Sequence, residues 1–264
     1  MMRTKSLTVL GLTAFTALTA ISLYFLGVGR AQERTGDTLP QKSLADVSDS
    51  TYPLVEMPLP GSNRAELDPV REARSRRFDG LGIVKDPKDE NVTLVKLRNH
   101  WDNQLAALPS NSSDAVVVGK VTELTGYLSD DLTGVYSEFL VSVDSLLKNS
   151  SEYPIEINST IAMERFGGRV KFPSGQIIKY VVYGQRMPDV GKEYLFYLKY
   201  NRSGRAFQII TAYGFDRDLT VPLDGSNASP KGSERRWVMD TYNGLAKDRF
   251  ISLVQEDLSK SSRL

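Results

Sequence analysis

From residue 115 to residue 222 the chain is cut into short runs of β-forming residues, and none of the stretches between them carries a helical period. This cadence restricts the fold more than any other feature. Parallel neighbours in a sheet need crossovers of roughly a dozen or more residues, usually helical, whereas tight turns join antiparallel ones. The runs fall at 115–122, 135–144, 160–166, 169–172, 177–183, 194–200, 206–213 and 219–222. The first is β-branched and long enough for a central strand. The second alternates, so that Phe139, Val141 and Val143 face one core. Between these two, residues 129–134 (SDDLTG) are turn chemistry and predict a long antiparallel hairpin. Gly167-Gly168, Pro173-Ser174-Gly175, residues 188–191 and residues 201–204 punctuate the rest. The expected fold is mainly β, an antiparallel sheet closed into a small barrel or folded into a sandwich.

The barrel domain is expected over residues 114–264. It ends in an amphipathic helix at 248–258, where Ile251, Val254 and Leu258 form a stripe flanked by Phe250 and Leu253, poised to cap the barrel. Residues 230–236 read as a connecting loop, with Trp237 as an anchor beside it. Residues 32–113 are polar and interrupted by seven prolines from Pro40 to Pro109, which predicts an extended stalk. Within it Asp68 caps, and Pro69 opens, a short helix running to Arg77. Residues 92–97 alternate like a strand. After His100 and Trp101, residues 105–108 resemble a short helix.

The N-terminus differs in kind. Arg3 and Lys5 precede an uncharged, largely apolar run over residues 6–29. Its length reaches the ~20 residues that cross a bilayer and favours an uncleaved signal anchor within residues 1–31. The small-x-small sequence Gly29-Arg30-Ala31 leaves open a cleaved signal peptide, with release after Ala31. Charge at the N-terminal end places that end in the cytoplasm and residues 32–264 outside. The membrane is thus an expected partner through residues 6–29. The localisation is single-pass, or secreted or periplasmic after cleavage.

Composition narrows the chemistry. Cysteine is absent and His100 is the one histidine, which removes disulfides, thiolate nucleophiles and cysteine-ligated zinc. Any Ser-His-Asp triad would have to use His100. Lys+Arg 33 against Asp+Glu 32 gives a formal charge of +1, so no global field draws in nucleic acid. No cofactor and no metal site is expected. Asp130 and Asp131, with Ser129 and Thr133, fall short of the six to eight oxygens that calcium takes. Glu123, Glu138 and Glu164 are the carboxylates available for hydrolysis, but spacing alone does not bring two of them together. Six of the ten asparagines lie in N-x-S/T sequons, at 91, 111, 149, 158, 201 and 227, and turn composition accounts for them as well as glycosylation does.

Two basic segments stand out. Arg71, Arg74, Arg76 and Arg77 give the short helix a basic face. It reads either as a contact for anionic polymer or as a solvated face partly neutralised by Glu72. Residues 164–175 interleave Arg165, Arg169 and Lys171 with Phe166 and Phe172. The alternation puts aromatics in the core and cations in water, and with Tyr180 or Tyr183 on the next strand the cations make a candidate ligand face for a sugar-rich or anionic polymer.

The order of residues 114–121 (DAVVVGKV), then 146–149 (LLKN), then 190–198 (VGKEYLFYL) resembles the layout of netrin-like OB-barrel domains over about residues 114–213. It is also similar to exported bacterial proteins of that plan. The resemblance implies an OB-like barrel. Inhibition of metalloproteinases in one branch of that family rests on cysteines this chain lacks, so no inhibitory residue carries over. The combined expectation is an exported or membrane-anchored binding module of the envelope, not an enzyme, with an envelope polysaccharide or another envelope protein as partner. The alternatives are a secreted hydrolase using Asp and Glu alone, and a structural envelope protein contacting anionic polymer through its arginines.

Overall fold

A computed structural model describes residues 51–61, 68–80, 94–97, 105–182, 184–225 and 238–261, with the backbone alone at 94–97 and 238. In chain order the elements are β1 (Leu54–Glu56), α1 (Pro69–Arg76), β2 (Leu94–Leu97), β3 (Ala115–Leu128), β4 (Val135–Lys148), β5 (Thr160–Phe166), β6 (Gly168–Lys171), β7 (Ile177–Val182), β8 (Glu193–Asn201), β9 (Ala206–Asp216), β10 (Leu219–Pro222) and α2 (Lys247–Ser261). A 3-10 turn at Val238–Tyr242 precedes α2.

Five strands close into a barrel in the order β3-β4-β5-β9-β8, with β8 returning to β3. Four of the five junctions are antiparallel, and β5–β9 is parallel through Met163–Phe207 and Glu164–Gln208. The parallel junction follows from parity: alternating directions around a ring of five strands must coincide once. The plan is mainly β and compatible with an OB-like barrel, the expected fold class. Register shifts between β3 and β4, at Val116/Val117, Val118/Gly119 and Val121/Glu123, are bulges of the kind that bend long strands. Val117, Val121, Phe139, Val141, Val143, Ile161, Met163, Phe196, Leu198, Phe207 and Ile209 fill the interior. Phe139, Val141 and Val143 share that side, as their alternation predicts.

The opposite face of β3, β8 and β9 is also apolar. Val116, Val118, Leu195, Tyr197 and Tyr213 are buried there under Phe250 and Val254 of α2, with Ile251 and Leu258 partly buried beside them. The helix therefore covers a side of the barrel, and its stripe is centred on Phe250 and Val254. Residues 105–108 are irregular, with bends at 107 and 108, and not the expected short helix. Pro109 restricts Leu108 against the helical region, and Leu105, Ala107 and Leu108 pack on the α2 cluster from an irregular backbone.

A second sheet, β1-β6-β7-β2, leaves the barrel at Gly167, whose φ of 117° disfavours any side chain. A Cβ there would lie 2.7 Å from Met187 Cε. The β6–β7 hairpin has two open edges, and β1 and β2 pair in parallel with them. Tyr52 and Phe78 are buried, at 4% and 6% exposure. The described parts of 32–113 are thus built into the domain and differ from the extended stalk expected there. Residues 1–31, with their expected signal anchor or signal peptide, lie outside the described residues, as do His100, Trp101 and Trp237. Among the described residues no helix is long and apolar enough to cross a membrane.

Candidate functional site

The cationic face expected from Arg165, Arg169, Lys171 and Tyr180 does not assemble. Arg165 shares the parity of Ile161 and Met163, so it points into the barrel, where it is 2% exposed. Its guanidinium makes a bidentate pair with Asp224, at 2.9 and 2.7 Å. Asp224 also accepts from the Arg186 backbone N–H at 3.0 Å and the Thr211 hydroxyl at 2.9 Å. Arg169 Nε donates to the Tyr52 carbonyl at 2.8 Å, and Lys171 pairs with Glu56 of β1 at 3.0 Å. Tyr180 is 1% exposed, and burial pushes its hydroxyl up to about 12. Tyr183 lies outside the described residues. The exposed-face expectation is corrected for Arg165 and Tyr180. Gly167 separates β5 from β6, so strand alternation is not carried from Arg165 to Arg169.

The helix arginines converge on a different place. Asp68 Oδ1 accepts from the N–H groups of Val70 and Arg71, both at 3.0 Å, and Pro69 opens α1. Spacing of three residues sets Arg71, Arg74 and Arg77 on one stripe. Opposite them Glu138 of β4 and Glu164 of β5 are direct register partners on the outer face of the barrel. Arg71 holds both oxygens of Glu138, at 2.9 and 3.2 Å, and Arg74 Nη1 reaches Oε2 of the same carboxylate at 2.6 Å. Arg77 pairs with Glu164 Oε2 and donates to Gln208 on β9 at 3.1 Å. Arg74 Nε lies 3.6 Å from Glu164 Oε1, which has no hydrogen-bond partner. Arg76 points away, to Glu72 and Asp130. All four expected polymer-contacting arginines therefore pair with the protein's own carboxylates, Arg71, Arg74 and Arg77 against the barrel and Arg76 at the exposed surface.

Rings and loops complete the seat. Arg71 stands 4.0 Å over the Tyr127 ring, and Phe78 stacks on Tyr136 at 4.3 Å with planes 7° apart. Ser75 donates to the Leu128 carbonyl at 3.0 Å. The β8–β9 loop supplies the carbonyls of Gly204 and Arg205 to Arg74. From the β3–β4 loop, Asp131 and Thr133 accept from the Gly80 N–H, and Asp79 accepts from the Asp131 N–H.

Electrostatics at this seat are uneven. Burial pushes the Glu164 carboxyl up to about 7, with Arg77 and Arg74 pulling against it and Glu138 adding to the rise. Hydrogen bonds from Thr133 and Ser129 hold Asp131 well below the usual carboxylate range against its partial desolvation. Burial, with neighbouring Asp131, raises Asp79. Asp131 is thus committed to its own loop, and among the described residues no group of three or more His, Cys, Asp or Glu is arranged to hold a metal. Glu138 and Glu164 are the carboxylates that meet. Glu123 is exposed opposite Leu140 and takes no part. Two sequon asparagines brace turns: Asn149 bonds both the N–H and carbonyl of Ile155, and Asn201 accepts from Gly204.

Sequence reasoning named both the arginines and the glutamates but not their union. The available signal was the i, i+3, i+6 arginine spacing, together with two glutamates at mid-strand positions, Glu138 beside Phe139 and Glu164 beside Met163. What the fold defines is a five-stranded barrel whose outer β4–β5 face, bounded by the β3–β4 and β8–β9 loops, seats an arginine-bearing helix. No protein-family model and no curated protein matches the chain.

Proposed function

We propose that this chain is a binding module of the cell envelope, tethered to the membrane through residues 6–29 or released after Ala31, with the barrel domain outside the cytoplasm. The observation that carries the binding reading is the β4–β5 face. In OB-like barrels, ligands lie across that sheet face between the loops flanking it. Here that surface carries paired carboxylates, an exposed Gln208 and aromatic rings, and it holds a cationic helix by charge, hydrogen bonds and stacking. The partner class this chemistry favours is another envelope protein. The polymer-contact alternative is weakened because Arg71, Arg74 and Arg77 face inward. The carboxylate-hydrolase alternative is weakened because three guanidiniums bind Glu138 and Glu164. The likeness to netrin-like domains belongs to the same proposal, and the barrel plan supports it.

Cell fractionation with N-terminal sequencing tests the location: membrane-bound protein retaining Met1 or Met2 is the anchored form, and a start at Gln32 the released one. Recovery in the cytoplasm refutes the envelope reading. A photo-crosslinking residue at Gln208, on the rim of the face, is expected to capture an envelope protein, whereas one at Arg217 on the β9–β10 turn is not. Equal capture from both positions removes the face from the proposal.

A further inference from the structure

The β4–β5 face is, we propose, a receptor for an arginine-bearing helical segment, with α1 as its resident occupant, replaceable by a matching segment of a partner protein. The inference rests on the reading of the domain as a binding module and names the partner chemistry: guanidiniums at i, i+3 and i+6, then an aromatic ring.

Four observations converge. The residues filling the barrel interior include none from 68–80, so the barrel core is complete without α1. The helix is eight residues long, far below the ~12–15 at which isolated helices become even marginal in water, so its docking and its helicity are one event. Its polar attachment consists of ion pairs and hydrogen bonds, which can exchange partners; Phe78, buried against Tyr136 and Phe166 in the outer apolar cluster, is its main apolar anchor and is the ring a replacing segment must supply. Both bounding loops have glycine where the segment passes. A Cβ on Gly134 would lie 2.1 Å from the Phe78 carbonyl oxygen, and one on Gly204 would lie 2.8 Å from Arg74 Cγ. The seat is shaped to a helix backbone followed by a turn, as well as charged for it.

The test uses the full chain and a peptide of residues 68–80 as probe. In the variant Arg71→Ala, Arg74→Ala, Arg77→Ala the resident helix loses its ties. The peptide is then expected to bind at least tenfold more tightly than to the native chain, with affinity falling as salt rises. Adding Glu138→Gln and Glu164→Gln should abolish that gain. Added to the triple variant instead, Gly134→Ala keeps Glu138 and Glu164 but puts a Cβ where the Phe78 carbonyl of the bound peptide must lie, and should also abolish the gain. A folded triple variant that binds the peptide no better than the native chain does, or binds a scrambled peptide equally well, overturns the proposal. Hydrogen exchange on the native chain decides independently of any variant. Amides of 71–77 exchanging at least a hundredfold faster than the β4 amides are expected; exchange in step with β4 makes α1 an inseparable part of the fold and overturns replaceability. These measurements on pure protein do not depend on location. Peptide binding with cytoplasmic recovery therefore sinks the envelope reading alone, and envelope capture without peptide binding sinks this one alone.

Discussion

Arg165 and Asp224 form a bidentate ion pair, with Nη2 to Oδ2 at 2.7 Å, and their side chains are 2% and 0% exposed. The pair fastens β5, inside the barrel, to the chain just after β10. The Arg186 N–H and the Thr211 hydroxyl complete the carboxylate's shell. A buried pair of this kind holds the closing segments in one arrangement, and removing one partner strands the other charge away from water.

Arg165→Ser is therefore expected to destabilise the domain by about 3–5 kcal/mol, while Lys171→Ser, whose pair with Glu56 is exposed, changes it by less than ~0.5 kcal/mol. Urea titration followed by tryptophan-independent far-UV circular dichroism reads both. Equal effects would place Arg165 outside any closing network. The double replacement Arg165→Met, Asp224→Leu is expected to recover most of the loss, because no unpaired charge remains buried.

The carboxyl of Glu164 binds its proton more tightly in the folded chain, at about 7, than at its ordinary value of 4.5. A folded pKa above the unfolded one contributes stability that is present below about pH 4.5 and lost as pH rises through about 7. Stability is thus expected to fall by on the order of 1–3 kcal/mol between about pH 5 and 8 through this group. Glu164→Gln, a permanent neutral mimic, should flatten that slope. Asp131 acts with the opposite sign but only under more acid conditions, since its carboxyl is held below its ordinary value of 3.8. A melting series in native and Glu164→Gln protein that keeps the same slope would assign the pH dependence elsewhere.

Asp68 closes the first turn of α1 by accepting two backbone N–H groups. Asp68→Ala should cost about 0.5–2 kcal/mol of local helix stability. If α1 opens separately from the barrel, the loss is seen as faster exchange at residues 70–77, with the global unfolding midpoint little changed. A fall in the midpoint by the full amount would instead couple α1 to global unfolding.

Phe250 is fully buried between α2 and the outer face of the barrel, with its ring centroid 4.7 Å from that of Tyr213. Phe250→Ala is expected to destabilise by about 3–5 kcal/mol, and Gln255→Ala, on the exposed side of the helix, by under ~0.5 kcal/mol. Denaturant midpoints check the pair. Similar losses would mean that α2 binds through a different face.

Much of the architecture is local and therefore legible in the chain itself. The alternation of Phe139, Val141 and Val143 marks one side of β4, turn residues mark the 129–134 loop, Asp68 and Pro69 mark the start of α1, and the period of α2 marks an amphipathic helix whose buried stripe is turned from Ile251 toward Phe250, because each depends on neighbours a few residues away. What only the tertiary structure decided involves partners far apart in sequence. Glu138 and Glu164 become opposed through β4–β5 register, and then meet arginines 64–87 positions earlier in the chain. Residues around β1 and β2 have the proline-rich polarity of a stalk, yet pair with hairpin edges that exist only once β6 and β7 have folded. Arg165 read as exposed because strand alternation assigns two faces but does not say which one is inside. Its fate was settled by Asp224, 59 residues away, whose charge makes a buried guanidinium tolerable.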